Sequence, residues 1–296
     1  MTRREVNPNQ GYFFDEPPQY LEQDPSFKPF DYPIWTRNKA RLVQRYLRYF
    51  VFITKHGTYI DGFAGPQEPD KLDTWTAGRV FDSEPRRLRN FFLCEIDAFK
   101  LPFLETLKRK AEEFPERPQR TVHVIPGDFN DSVDQVLGSG TITEKEATFC
   151  LLDQRTFECN WATVVKLARH KSSNKIELFY FLGTGWLHRA FSGLNEPEED
   201  LDRWWGRNDW SRLADSSARS ITETVVNRFR SELGYRYVNA FPIYDDESGS
   251  RRAMYQMIHA SDHPEAPALM ARAYRHAVDP EEPPDQLEIQ LGNNLT

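Results

Sequence analysis

The chain has 296 residues, a formal net charge of −7 and 39% hydrophobic residues, and 14% of it is aromatic. This is enough for one large or two small folded domains and argues against disorder along the whole chain. No run approaches the roughly 20 apolar residues of a membrane-spanning helix, and residues 1–5 lack the apolar core of a signal peptide. The three cysteines lie in or beside predicted core strands and do not make a disulfide framework, so we expect a cytoplasmic protein that does not enter membranes.

The beginning of the chain divides into an arm and a basic helix. Residues 1–34 are rich in proline, aromatic and acidic residues and show no sustained hydrophobic period, so we expect an arm laid over the surface. Apolar residues at helical spacing then predict a helix over residues 36–52. The segment from Arg37 to Arg48 contains five basic residues and no acidic one. It indicates either a solvated helix face or a contact to nucleic acid.

Strands and helices alternate from there to residue 182. The predicted strands cover residues 58–61, 91–95, 121–125, 147–152 and 176–182. The predicted helices cover residues 84–89, 98–114, a short stretch before Gly138, and 161–170, and a long loop covers 67–83. This alternation implies right-handed crossovers and an α/β fold whose twisted, mainly parallel sheet has helices on both faces.

The remaining chain completes the domain, which we place at residues 35–277. Residues 184–233 form a predicted tryptophan-rich helical insertion, whose last helix, 217–233, ends at Gly234. Two closing strands, 235–244 and 252–260, and a helix, 265–276, follow before an exposed tail, 278–296. The tryptophans indicate either core packing, the favoured interpretation, or a base-stacking platform.

Acidic residues end four consecutive predicted strands: Asp61, Glu95, Asp128 and Asp153. Because the carboxyl ends of parallel strands meet at one edge of a sheet, we expect these side chains to border a shared cleft. The first acid opens the segment Asp61–Pro66, in which two glycines flank Phe63 and Ala64. Glycines permit positive φ values and close approach of a ligand to the backbone, so this loop is a predicted binding loop.

Some of these residues have a second interpretation. Asp97 and Asp128 are equally natural as the N-caps of the helices that follow them. His259 and His263 are four residues apart, which is a zinc-binding spacing within a helix. They fall at a strand end with no third ligand nearby in the sequence, so we expect no metal site.

With these residues in place, the chain resembles class I methyltransferase-like Rossmann proteins, and more specifically the three-Cys-motif partner family, TcmP. The matching segments are the basic helix before Tyr59–Pro66, the strand Phe92–Glu95, Leu151–Asp153, the Trp161 helix, the strand Leu178–Phe181 and Met254–His263. The resemblance covers about residues 35–277. It implies a fold similar to that of S-adenosylmethionine enzymes and a bacterial or phage-associated protein that occurs beside a radical-SAM-like partner.

The resemblance also implies roles for the residues at the strand ends. The cofactor, S-adenosylmethionine, would be bound by Asp61, Gly62, Phe63, Ala64, Gly65, Glu95, Asp97, Asp128, Phe129 and Asn130. Glu95 would accept hydrogen bonds from the ribose hydroxyls, Asp128 would accept one from the adenine amine, and Phe129 would stack on the ring. Asp153 and Phe157 would be catalytic, since amino-group methyltransferases use a similar turn to hold the target amine and stack on a flipped base.

Two departures from the family pattern leave the activity open. The chain has Pro66-Gln67 where the family usually has a second glycine, and Asp153-Gln154-Arg155 where an Asp-Pro-Phe-Gly type of turn is common. One hypothesis is a methyltransferase that acts on a nucleic-acid or nucleotide amine. The other, which the departures favour, is a non-catalytic partner subunit that keeps the fold and docks another protein. Nucleotide hydrolysis is disfavoured because the chain has no G-x-x-x-x-G-K-[ST] loop.

Overall fold

The fold was analysed in a computed structural model that describes residues 34–35, 38–113, 119–185, 187, 191, 198–244 and 253–278. The predicted arm up to residue 33, the tail from residue 279 and the loop between the two closing strands lie outside the described residues. The division of the chain into arm, domain and tail therefore stays a prediction.

Within the described residues, an eight-stranded sheet forms the centre of the protein. Its strands are β1 (Ile34–Trp35), β2 (Gly57–Asp61), β3 (Leu88–Glu95), β4 (Thr121–Pro126), β5 (Thr148–Leu152), β6 (Glu177–Leu182), β7 (Tyr237–Tyr244) and β8 (Ala253–Ser261). Their order across the sheet is β1-β7-β8-β6-β5-β2-β3-β4. Neighbouring strands are parallel except at β8, which runs antiparallel to both β6 and β7.

Helices cover both faces of this sheet. They are α1 (Lys39–Thr54), α2 (Thr76–Phe81), α3 (Leu101–Glu113), α4 (Phe129–Leu137), α5 (Trp161–Arg169), α6 (Glu198–Trp205), α7 (Ala218–Ser231) and α8 (Ala266–Val278). One hydrophobic cluster joins the sheet to α1, α2, α3 and α8, and a second cluster joins its other face to α4, α5, α6 and α7. The chain order reverses between β2 and β5, as in doubly wound Rossmann-like sheets. The predicted Rossmann-like α/β fold, with a mainly parallel sheet and helices on both faces, is confirmed.

The central strands follow from their composition. Every residue of β2, β5 and β6 is buried, as expected for central strands covered by helices on both faces. At the end of α7, Gly234 has a φ of +73°, and its N–H donates to Arg230 O (3.1 Å), so the predicted helix stop is confirmed. In the insertion, Trp204 and Trp205 are buried, and core packing of these two residues is confirmed.

The segment between β2 and β3 differs from the prediction. The predicted helix over 84–89 is wrong, because Glu84 precedes a proline, which disfavours the helical conformation, and β3 already begins at Leu88. A short helix, α2, instead occupies part of the predicted loop. Within this helix, a Cβ on Gly78 would lie only 2.5 Å from the Trp75 ring, so the glycine is needed for this packing. Phe99, at the start of the predicted helix over 98–114, is 90% exposed, and α3 begins after it at Leu101.

None of the helices in the described ranges is long and apolar enough to cross a membrane.

Candidate functional site

A cleft opens at the carboxyl ends of the central parallel strands. Its volume is about 440 Å³, and it is bordered by the segments that follow β2, β3, β4 and β5 and by Asp200 and Arg203 of α6. The cleft therefore lies where the chain order of the strands reverses. In open α/β sheets this position is where ligands bind.

The loop after β2 is held by hydrogen bonds from its own backbone. The N–H groups of Gly62 and Ala64 donate to Leu151 O (3.1 Å) and Cys94 O (2.8 Å), and those of Phe63 and Gly65 donate to Asp61 Oδ1 (3.1 Å) and Glu95 Oε2 (2.8 Å). All four donors are thus satisfied within the protein. The loop does not present the free N–H groups that cradle a phosphate, which agrees with the absence of a P-loop sequence.

Gly62 and Gly65 provide space for neighbouring side chains. Neither has a positive φ, so the conformational freedom of glycine is not used at these two positions. A Cβ on Gly62 would lie 2.7 Å from Phe129 Cδ1, and a Cβ on Gly65 would lie 2.7 Å from Lys100 Cδ and overlap Glu95 Oε2. The glycines are needed because these side chains pack directly against the loop.

Glu95, the last residue of β3, connects this loop to the next one. Its side chain lines the cleft although the residue is only 6% exposed. Oε2 accepts from Gly65 N–H and Oε1 from Asp97 N–H, both at 2.8 Å. Because each carboxylate oxygen has a second acceptor position, Glu95 can bind ligand hydroxyls without losing either contact. The Asp97 Oδ1 atom accepts from Phe99 N–H (2.9 Å) and stabilises the turn that leads to α3.

Asp61 lies behind the cleft rather than in its lining. The residue is 1% exposed, and its carboxylate accepts from Tyr59 Oη (2.7 Å) and from Phe63 N–H. Burial raises the pKa of Asp61 to about 7, even though these two hydrogen bonds act in the opposite direction. Three of the four acidic strand ends, Glu95, Asp128 and Asp153, line the cleft directly.

The residues after β4 act mainly within the protein. Asp128 is the N-cap of α4 and accepts from Asn130 N–H (2.8 Å). The Asn130 side chain bridges Asp128 to the loop after β5, donating to Glu158 O (2.6 Å) and accepting from Asn160 N–H (2.9 Å). Phe129 is 1% exposed and packs under Gly62, so its ring has no open face on which adenine could stack.

Asp153, which follows β5, is paired with a residue that the sequence reasoning placed elsewhere. Lys39 Nζ lies 2.7 Å from Asp153 Oδ1, and both side chains are nearly buried. The ammonium also lies 4.9 Å from the Phe181 ring centroid and 5.4 Å from that of Tyr255. Lys39 was expected on a basic helix face, and its burial corrects that expectation.

The turn after Asp153 is braced from inside the protein. The Gln154 side chain donates to Phe181 O (3.1 Å) and accepts from Cys159 N–H (2.9 Å). Phe157 lines the cleft but is 6% exposed, and its ring makes an edge contact with Trp204 at 4.8 Å. The ring is therefore part of the packing between this turn and α6, rather than a free stacking surface.

Several cleft residues were not singled out from the sequence. They are Ile96, Lys100, Arg155 and Arg203. Ile96 is 70% exposed beside Glu95 and offers an apolar surface at the cleft. Arg155 is exposed, and it has no hydrogen-bond or ion-pair partner in the part of the chain that the structure describes. An exposed apolar or basic residue in a loop has no periodic signal, so only its position after a strand end could have identified it.

The cleft has more carboxylates than cations. Six acidic residues line it, Glu95, Asp97, Asp128, Asp153, Glu158 and Asp200, against three basic ones, Lys100, Arg155 and Arg203. This balance favours a ligand that carries a positive charge.

The described residues contain no cluster of potential metal ligands. His259 Nε2 instead lies 2.9 Å from Glu177 Oε1, in a buried network with Tyr46 and Ser261. On the basic helix, Arg41 is exposed, while Arg45 and Arg48 are half-buried and interact with other residues. Arg37 lies outside the described residues. The alternative of a nucleic-acid contact on this helix is left with one exposed arginine among the described residues.

Comparisons with known proteins add little to this geometry. No protein-family model and no curated protein sequence matches the chain. A similar solved structure is Trm1 from Pyrococcus horikoshii in complex with S-adenosyl-L-methionine, with 12% identity and a TM-score of 0.41 over 82% of this chain and 60% of that chain. Another is a DUF574 family protein from Streptomyces avermitilis, with 13% identity and a TM-score of 0.38 over 75% and 83%. At these values neither likeness bears on ligand or activity.

Proposed function

We propose that this protein binds S-adenosylmethionine in the cleft and transfers its methyl group to a nucleotide or nucleic-acid amine. The observation that carries the proposal is the position of Glu95, a buried carboxylate at the carboxyl end of β3, next to the switch point, that lines the cleft and retains free acceptor positions. An acid at this position of a Rossmann-like sheet binds ribose hydroxyls.

The other cofactor contacts differ from the predicted set. Asp128 can accept from the adenine amine, since Oδ2 has no hydrogen-bond partner in the described chain while Oδ1 caps α4. Ile96 takes the place of Phe129 as the apolar surface for the adenine ring, because Ile96 is exposed and Phe129 is buried. Asp61 and Ala64 support the loop from behind. The excess of carboxylates in the cleft favours the positively charged sulfonium.

The acceptor side is built on Asp153. When bound, S-adenosylmethionine supplies an electrophilic methyl group, so the protein has to orient the acceptor and exclude water. Asp153 Oδ2 has no protein partner among the described residues, and it can accept a hydrogen bond from the acceptor N–H. Arg155, two residues later, can pair with an acceptor phosphate, since a guanidinium matches phosphate oxygens in geometry and charge.

The test compares Asp153→Asn with the wild type. Tritiated S-adenosylmethionine is incubated with each protein and with single-stranded DNA, duplex DNA or transfer RNA, and S-adenosylhomocysteine affinity is measured in parallel. We expect methyl transfer to at least one nucleic acid by the wild type, loss of transfer in the variant, and cofactor affinity within a few-fold of wild type. Normal methylation by a folded variant would refute the role of Asp153.

A second candidate function has its own supporting observation. Asp153 Oδ1 is already occupied by Lys39, and the Phe157 ring is buried against Trp204, so two features of a catalytic amine site are engaged within the protein. These contacts favour a non-catalytic subunit of the TcmP type that keeps the cofactor cleft and docks a radical-SAM-like partner. Binding of S-adenosylhomocysteine without transfer to any of the tested nucleic acids would support this function over the first.

A further inference from the structure

The ion pair between Lys39 and Asp153 is unusual in its position. Lys39 begins α1, and 114 residues separate it from Asp153 at the carboxyl end of β5. The ammonium lies between the aromatic rings of Phe181 and Tyr255. No other hydrogen-bond partner of this ammonium occurs in the described ranges.

Stability does not explain such a pair. Moving two charges out of water costs more free energy than an ion pair of moderate geometry recovers. Apolar residues of similar volume often stabilise a fold equally well. The rings offset part of this cost, since a cation over an aromatic face is attracted by the negative face of the ring. A buried ion pair at the border of a cleft is therefore better explained by what it does to Asp153.

The pair leaves one oxygen of Asp153 for the cleft. Oδ1 accepts from Lys39. Oδ2 has no protein donor within the described residues, and it is not buried away from solvent. Asp153 itself lines the cleft. The carboxylate is thus fixed at one end and available at the other.

The other charged and titratable groups near Asp153 do not replace Lys39. Tyr59 and Asp61 of β2 interact electrostatically with Asp153. A negative charge on Asp61 repels the negative charge of Asp153 and therefore cannot stabilise it as the Lys39 ammonium does. Glu95 of β3 adds to the negative potential at Asp61. Arg155 is cationic but solvent-exposed, where water weakens its effect.

We propose that Lys39 is a positioning residue for the acceptor site: it fixes Asp153 Oδ1, so that Oδ2 is directed to the cleft as a single acceptor for one N–H group. This deepens the proposed function and rests on it for the identity of the ligand. The ion pair and its effect on Asp153 are testable without any ligand.

The experiment follows the Asp153 carboxyl carbon by NMR in protein labelled with ¹³C at aspartate, with the signal assigned by its absence in Asp153→Asn. Lys39→Met keeps the apolar stem between the rings and removes the charge. A matched control is Lys166→Met, which removes the same 2.7 Å contact between lysine and aspartate, with Asp134, from an exposed site. Lys39→Gln retains a hydrogen-bond donor without a charge, and it serves as the second variant if Lys39→Met does not fold.

In Lys39→Met and Lys39→Gln we expect the Asp153 carboxyl-carbon signal, recorded at one fixed neutral pH, to shift and broaden relative to the wild type, because the ammonium that fixes Oδ1 is absent. Lys166→Met should leave the signal unchanged. An unchanged Asp153 signal in a folded Lys39 variant would overturn the proposal. Failure of the wild type to bind S-adenosylhomocysteine would instead refute the proposed function and leave this result standing.

Discussion

The substitution Glu95→Gln tests how the cofactor side of the cleft is held. In the wild type, two backbone N–H groups, from Gly65 and Asp97, each donate to one carboxylate oxygen at 2.8 Å. A glutamine side chain offers one oxygen and one NH2 group, so one of the two backbone donors would face another donor. The substitution is nearly isosteric and therefore tests hydrogen bonding rather than volume.

The expected loss follows from these contacts. A hydrogen bond to a charged group contributes about 1.5–3 kcal/mol, so loss of the ribose contact to a charged Glu95 weakens S-adenosylhomocysteine binding by about 10- to 160-fold. Isothermal titration calorimetry measures this affinity, and urea unfolding verifies that the variant is folded. Gly65→Ala should weaken binding in the same direction, because the added Cβ would overlap Glu95 Oε2.

The control is Glu144→Gln. Glu144 also accepts two backbone N–H groups, from Ser172 (2.7 Å) and Ser173 (3.0 Å), but it precedes β5 and therefore lies at the opposite edge of the sheet. This variant should bind S-adenosylhomocysteine like the wild type. A folded Glu95→Gln protein whose affinity stays within about twofold of the wild type would refute the role assigned to Glu95.

Three further predictions concern a buried acid, the buried thiols and a half-buried amide. Burial raises the pKa of Asp61 to about 7, so folding takes up a proton between about pH 4 and 7, and the free energy of unfolding falls as the pH rises through this range. Asp61→Asn should remove this pH dependence. In urea unfolding, the stability of the variant relative to the wild type should therefore rise by about 2–3 kcal/mol from about pH 5 to pH 8. A pH-independent difference would contradict it. All three cysteines are buried with raised thiol pKa values, so a thiol reagent should label the protein only after denaturation, and rapid labelling of the native state would be inconsistent with the packing. Asn130→Ala removes the bridge between α4 and the turn after β5 and should lower the free energy of unfolding by about 2–4 kcal/mol, whereas a loss below about 1 kcal/mol would show that the bridge is dispensable.

The sheet could be predicted because its signal is local. In β5, five apolar or small residues precede Asp153, and this pattern identifies both the buried strand and its carboxyl end. Repetition of the pattern at β2 and β3 placed the acidic residues at one edge. The helix over 84–89 was mispredicted because the prediction followed the basic composition of the segment. It did not account for the restriction that Pro85 imposes on the backbone of Glu84.

The details of the site could not be predicted because they depend on contacts between distant residues. Nothing near Lys39 distinguishes it from the other basic residues of its helix, and its pairing with Asp153 depends on how α1 docks on the sheet. Phe129 follows an acid, as a stacking residue would, but its ring lies under Gly62. Phe157 is likewise covered by α6, whose approach to the turn has no signal in either segment.

The central claim is that the cleft binds S-adenosylmethionine, and a crystal structure grown with about 1 mM S-adenosylhomocysteine tests it most directly. We predict ligand density in the cleft, with the ribose hydroxyls within hydrogen-bond distance of Glu95. The adenine should lie beside Ile96 and Asp128, and the sulfur should face Asp153. An empty cleft at this concentration, or a ligand bound elsewhere on the protein, would contradict it.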